Sequence, residues 1–242
     1  MKTERSPGMS FSSPELRLVL LGNIGCGKTS SADTILNWLA PVSTGMPRSC
    51  QLREGNTEGR SVSLVEAPRW YWIGGKMDDD VKKETERAIT MLEPGPHAVL
   101  LLVPVSQFTE ALGALENVFG PEAVQKHTVV LFTHADRLRA SGKAGDGSVE
   151  AYIASERGDL LKLVEKCGDR FHVAEKGGGR RERGNVAELL EKVEQTVKEA
   201  GGQCYSCPQY IHKLLEYFLS CHCFRTICSY HENGNKLILG QF

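Results

Sequence analysis

The feature that most constrains this chain is Gly22-Asn23-Ile24-Gly25-Cys26-Gly27-Lys28-Thr29, lodged between an apolar run and a helical one. The run before it, Leu16–Leu21, is interrupted only by Arg17 and predicts a buried strand. The run after it, Thr29–Leu39, predicts a helix stopped by Pro41. The octapeptide matches Gly-x-x-x-x-Gly-Lys-Ser/Thr, and a strand before with a helix after is the context that gives the match meaning. Glycines let the backbone turn so that successive N–H groups converge on phosphate oxygens, while the helix N-terminus adds a dipole that favours an anion. Gly22, Asn23, Ile24, Gly25, Cys26, Gly27, Lys28, Thr29 and Ser30 are therefore expected to form a phosphate cradle. Within it Lys28 would reach the β- and γ-phosphates and Thr29 would offer its hydroxyl to Mg²⁺. Cys26 reads as a small filler in the loop.

The rest of the chain repeats the strand–helix alternation. Strands are expected at Ser61–Glu66, His97–Val103, Thr128–Thr133 and Arg170–Ala174. Helices are expected at Asp78–Leu92, Thr109–Phe119, 149–167 and 184–199, and Val42–Arg60 reads as turn-rich. Several strands are apolar on both faces, which calls for an α/β fold: a mostly parallel sheet with helices on both faces, of the P-loop NTPase class.

Composition narrows the partners. The 242 residues carry 29 basic and 30 acidic side chains. That balance argues against a nucleic-acid binder, which depends on neutralising phosphates with a basic surface. Met1–Ser13 is polar and holds no apolar core segment, so no signal peptide is expected. The expected setting is the cytoplasm, with reduced thiols.

Phosphate binding alone does not choose a base. The strand Thr128–Thr133 runs into Thr133-His134-Ala135-Asp136. A carboxylate there can accept from both N1–H and N2–H₂ of guanine, a donor pair that adenine lacks. His134 would lie flat over the purine. The competing reading is a strand-end threonine followed by a helix-capping aspartate.

With these motifs in order, the chain resembles the immunity-associated GTPases (the GIMAP, or immune-associated nucleotide-binding, family), particularly the fish-type members. The resemblance is carried by LRLVLLGNIGCGKTSSADTIL, by CQL and the strand into EAPRW, by PGPHAVLLLV with FTE after it, by VVLFTHADRL and by CGDRFHVAEK. It spans about residues 15–199 and implies a paraseptin-type G domain at 15–200, preceded by a leader at 1–14 and followed by a Cys-rich helical tail at 201–242. It further implies GTP or GDP with Mg²⁺, and homo- or hetero-oligomers formed through the G domain on intracellular membranes. In that family Thr-x-x-Asp often replaces the usual Asn-Lys-x-Asp. Glu175 stands where relatives often carry a guanine-binding asparagine.

The departures fall on the catalytic switches. Glu66-Ala67-Pro68 stands where relatives read Asp-Thr-Pro, so Glu66 joins Thr29 as the expected metal pair, with one methylene more than usual. Arg69 occupies a frequent glycine position, and Trp70-Tyr71-Trp72 follows where a water-orienting glutamine would stand. The register set by Cys50 puts Pro47 at the first-switch threonine, with Thr44 and Ser49 off register. Hydrolysis depends on those parts, so intrinsic turnover is expected to be slow or absent. The runner-up is a pseudo-GTPase scaffold that keeps the fold for partner docking. An ATP-using enzyme would require Asp136 to be incidental.

Other features keep two readings. Trp70–Ile73 is either core packing or a switch-dependent partner contact. Asp78–Asp80 is the acidic first turn of a helix, or a metal site. His172 reads as a packed strand residue, and Arg180–Arg183 as a solvated loop. In the tail, Cys204, Cys207, Cys221, Cys223 and Cys228 flank the amphipathic stretch Tyr210–Leu219. That tail is a helix packed on the G domain or on another chain, a peripheral membrane anchor acylated at Cys221, Cys223 or Cys228, or a zinc knot.

Overall fold

The computed structural model describes residues 15–38, 49–67, 72–73, 76–77, 79–107, 111–143, 147–175 and 178–206. The chain divides into two compact units, Met1–Tyr205 and Ser206–Phe242. The second lies outside the described residues apart from Ser206, and the readings placed on Tyr210–Leu219 and the cysteines beyond Cys204 lie there with it.

The first unit is built on a six-stranded sheet. In chain order its strands are β1 (Glu15–Gly22), β2 (Gln51–Thr57), β3 (Arg60–Glu66), β6 (Ala98–Pro104), β7 (Thr128–Thr133) and β8 (Phe171–Val173). A two-residue pair, β4 (Trp72–Ile73) with β5 (Lys76–Met77), stands apart as a small antiparallel hairpin. The spatial order is β2-β3-β1-β6-β7-β8, and only β2 runs antiparallel to its neighbour. β1, β6 and β7 are buried nearly throughout, as strands covered on both faces must be. On one face Leu16, Leu18, Leu20, Val62, Leu64, Leu100 and Leu131 meet α1 (Lys28–Leu36) and the long α8 (Gly179–Glu199), through Ile35, Leu36, Leu189, Leu190 and Val193. Val19, Leu21, Val99, Leu101 and Phe132 point the other way and are equally buried. That second layer contains α2 (Asp79–Thr90), α3 (Ala111–Phe119), α4 (Pro121–His127) and α7 (Gly158–Lys166). The mostly parallel sheet with helices on both faces is the expected architecture.

Several local expectations are corrected. The turn-rich stretch contains β2, whose burial pattern buries Arg53 and Thr57. Polar residues on its inward face hide the apolar alternation that announces a strand. The helix expected over 149–167 is two, α6 (Val149–Glu156) and α7, broken at Arg157 with φ −128° and ψ 64°. The Arg157 guanidinium anchors the break, donating to the carbonyls of Val105 and Gln107 and to both oxygens of Asp159. The Arg180–Arg183 stretch is helical from Gly179, because Arg183 donates to the Thr34 carbonyl and pairs with Glu58. Two short helices, α4 and α5 (Ala135–Ala140), were not anticipated; Gly120 and His134 at their starts both take positive φ.

The unit closes at its far end on Tyr205. Its N–H donates to the Pro96 carbonyl at 2.8 Å, and its ring meets Phe119 edge-on with centroids 5.1 Å apart. Gly95 is required there, because a Cβ at that residue would strike the Tyr205 carbonyl. Pro94–His97 is thus packed against the last turn of the unit, at the end of the sheet opposite the glycine loop after β1.

Candidate functional site

Parallel strands deliver their C-terminal ends to one edge, where ligands of open α/β sheets bind. Here that edge collects Gly22 from β1, Glu66 from β3, Thr133 from β7 and the residues just after β8. The loop after β1 turns through Gly25 at φ 76° and Gly27 at φ 93°, both in the left-handed region. Gly22 is required for a second reason: a Cβ there would lie 2.6 Å from Cys26 Sγ and 2.7 Å from the Leu102 carbonyl oxygen. The Asn23 side chain accepts from the Ile24 N–H at 2.8 Å, steadying the exposed tip. Lys28 Nζ donates to the carbonyls of Gly22 at 2.6 Å and Asn23 at 3.2 Å, which holds the ammonium across the loop. Thr29 and Ser30 stand partly buried in the first turn of α1. Cys26 is fully buried, and burial pushes its thiol pKa up despite the opposing charge of Lys28. It packs as a filler.

The end of β7 is bonded to this loop. Thr133 Oγ1 donates to the Cys26 carbonyl at 2.7 Å, and His134 Nε2 lies 3.0 Å from the Gly25 carbonyl. His134 adopts φ 58°, the left-handed turn that starts α5. Asp136 follows, exposed, in the first turn of that helix. Across from it the Glu175 carboxylate pairs with Arg139 at 2.6 Å and with Arg181 at 2.5 Å, and the Glu175 N–H donates to Asn185 Oδ1 at 3.0 Å. The Glu175 carboxylate in the loop after β8 is therefore ion-paired between two arginines. His172 is buried within β8 and only 3% exposed, and burial lowers its pKa.

The expected metal pair is in contact. Thr29 Oγ1 donates to Glu66 Oε1 at 2.6 Å. Because the hydroxyl donates its hydrogen bond to the carboxylate, its lone pairs stay free to face a hard cation, and the donor set of hydroxyl and carboxylate oxygens suits Mg²⁺. Two residues that sequence reasoning missed complete the group. Arg53 from β2 donates to Glu66 Oε2 at 3.3 Å and to Asp33 Oδ1 at 2.7 Å. The signal available for it was the extra methylene of Glu66, which lengthens the carboxylate toward a partner on the next strand.

Thr44, Pro47 and Arg69, with Trp70 and Tyr71, lie outside the described residues, as does Asp78. Among the described residues, no group of three or more His, Cys, Asp or Glu side chains is arranged to hold a metal ion. Among them also, no helix is long and apolar enough to cross a membrane.

The sequence profile described as the AIG1 family matches residues 16–217. Human GTPase IMAP family member 8 is 28% identical over 210 residues, covering 83% of this chain and 29% of that protein. Immune-associated nucleotide-binding protein 9 of Arabidopsis thaliana is 28% identical over 228 residues, covering 86% of this chain and 62% of that one. This chain thus spans less than two thirds of the length of either relative. Among solved structures, Toc33 from Arabidopsis thaliana in complex with GDP and Mg²⁺ superposes with a TM-score of 0.56 at 15% identity, over 79% of this chain and 86% of that one. That likeness reports the fold, while the profile match over most of the chain reports the lineage. The chain belongs to the AIG1 family of immunity-associated GTPases.

Proposed function

We propose that this chain binds GTP and GDP with Mg²⁺ and self-associates in a GTP-dependent manner through its G domain, with slow or no intrinsic hydrolysis. The observation that carries this reading is the pair of contacts from Thr133 and His134 to the phosphate-loop carbonyls of Cys26 and Gly25. They make the loop and the base-reading segment one pre-organised surface, beside which Asp136 is exposed. Gly22, Asn23, Ile24, Gly25, Cys26, Gly27, Lys28, Thr29 and Ser30 then cradle phosphate. Thr133, His134, Asp136 and Glu175 border the guanine, with Asp136 as its carboxylate reader. Thr29 and Glu66 would hold Mg²⁺, which when bound offsets phosphate charge.

Support for nucleotide and metal comes from Toc33, solved with GDP and Mg²⁺. Support for self-association comes from the same protein, whose dimerization is described as important for its GTPase activity. The tail beyond Tyr205 is proposed to make contacts outside the nucleotide site, with a partner chain or, as a peripheral anchor, with an intracellular membrane.

Calorimetric titration of the full chain with GDP, GTPγS and ATP in Mg²⁺ tests the reading. Binding of both guanine nucleotides, with ATP at least about a hundredfold weaker, is expected where a polar site rejects an unmatched base. Equal ATP affinity refutes the role of Asp136, and no uptake of any nucleotide leaves the scaffold reading in its place. Light scattering with GTPγS and with GDP tests the association, and phosphate release tests turnover.

A further inference from the structure

Arg53 is unusual for an arginine on an edge strand. It is only 5% exposed, and it is held from three sides. Asp33 and Glu66 accept from its two terminal nitrogens at 2.7 and 3.3 Å, and its Cζ lies 5.5 Å from the Trp38 ring centroid. Glu66 is 1% exposed, and its other oxygen accepts the hydrogen bond from the Thr29 hydroxyl. The hydroxyl assigned to the metal is thus one hydrogen bond from a buried carboxylate whose charge is already shared with a buried guanidinium. A carboxylate so deeply buried needs a counter-charge whether or not a metal is bound. Arg53 supplies one covalently. In a poorly solvated site the pull of Glu66 on an arriving cation and the push of Arg53 oppose each other.

We propose that Arg53 is a resident counter-cation of the magnesium site, through which the chain retains guanine nucleotide with little dependence on Mg²⁺. This rests on the guanine-nucleotide reading above. Arg53 acts as a positioning residue through Glu66. The length of Glu66 is part of the device, because an aspartate would be one methylene short of the guanidinium.

The test is the ratio of GDP affinities measured by calorimetry on the full chain, in excess Mg²⁺ and in excess EDTA. The ratio is expected below about threefold for the wild-type chain and above about tenfold for Arg53→Gln, the scale of one uncancelled charge near such a site. Arg53→Lys keeps the charge and should keep the low ratio, which a purely structural role would not predict. Mn²⁺ titration followed by electron paramagnetic resonance should show tighter metal binding in Arg53→Gln. Should that variant not fold, Glu66→Asp decides the matter, since it removes the reach to Arg53 and should raise the ratio in the same direction. A high ratio in the wild-type chain, or an unchanged ratio in Arg53→Gln or Glu66→Asp, overturns the proposal. A wild-type chain that takes up no GDP in either condition overturns the nucleotide reading itself, and this inference with it.

Discussion

Thr133 Oγ1 donates a 2.7 Å hydrogen bond to the carbonyl of Cys26, joining residues 107 apart in the chain. The bond ties the loop after β1 to the end of β7, a strand that is not β1's neighbour because β6 lies between them. Both partners are buried, Thr133 at 4% exposure and Cys26 at none. The glycine loop after β1 is therefore held from the far side of an intervening strand as well as from its own.

Thr133→Val keeps the shape and removes the donor, leaving a buried carbonyl unpaired. The expected loss is about 1–3 kcal/mol of stability, read by urea unfolding. GDP affinity should fall as well, since the loop loses one of its two ties to the Thr133–His134 corner. A variant as stable as the wild type would mean that the Cys26 carbonyl finds another partner.

Gly22→Ala places a methyl against Cys26 Sγ and the Leu102 carbonyl at a φ of 152°. The neighbouring backbone cannot yield without disturbing β6, so the cost should exceed about 2 kcal/mol and nucleotide uptake should be lost. Gly59 in the β2–β3 turn is the control, with φ 75° and open space around its Cβ position. Gly59→Ala should cost only about 1–2 kcal/mol of local strain and leave binding intact. Thermal melts with and without GDP separate the two cases.

Asp136→Asn replaces an acceptor pair with one acceptor and one donor. Guanine offers donors at that edge, whereas xanthine presents a carbonyl at its 2-position. The variant should lose GDP affinity by at least about a hundredfold and gain preference for XDP, measured by competition against a labelled nucleotide. An unchanged preference would leave Asp136 as the acidic first turn of α5 and nothing more.

Acid should weaken the fold through three histidines. Burial lowers the pKa of His97, His127 and His172 below the ordinary 6.5. Arg17 presses further on His97, whose Nδ1 accepts from the Arg17 N–H at 3.0 Å, and Lys192 presses on His172. Each ring stays neutral in the fold at a pH where the unfolded chain already binds a proton. Their contribution is therefore complete above about pH 6.5 and declines as the pH falls toward the lowered native values, by at most about 1.4 kcal/mol per pH unit for each. Urea unfolding between pH 7.5 and 5 should show this decline, and His172→Gln should make it shallower.

The strands that carry the site were legible because their burial is simple. Leu16–Leu21, His97–Val103 and Thr128–Thr133 each fall within one or two residues of the observed β1, β6 and β7. β2 was not legible, since its buried side chains are Arg53 and Thr57 and its apolar Leu52 is exposed. Nor was the break at Arg157, because both flanking segments have helical composition and the kink is set by the carbonyls of Val105 and Gln107 some 50 residues away.

By itself the sequence determined the turn after β1, because its geometry is made by consecutive backbone units and depends on glycine at positions that run from Gly22 to Gly27. It also determined the sheet class, because uninterrupted apolar strands leave no other way to cover both faces. The tertiary structure decided which charges meet. Asp33 lies 20 residues from Arg53 in the chain and Glu66 lies 13, and only the pairing of β2 on β3, with α1 packed against them, brings the three side chains together. Local propensity cannot encode that meeting, since an arginine facing inward is unfavourable until the carboxylates that accept it are already in place.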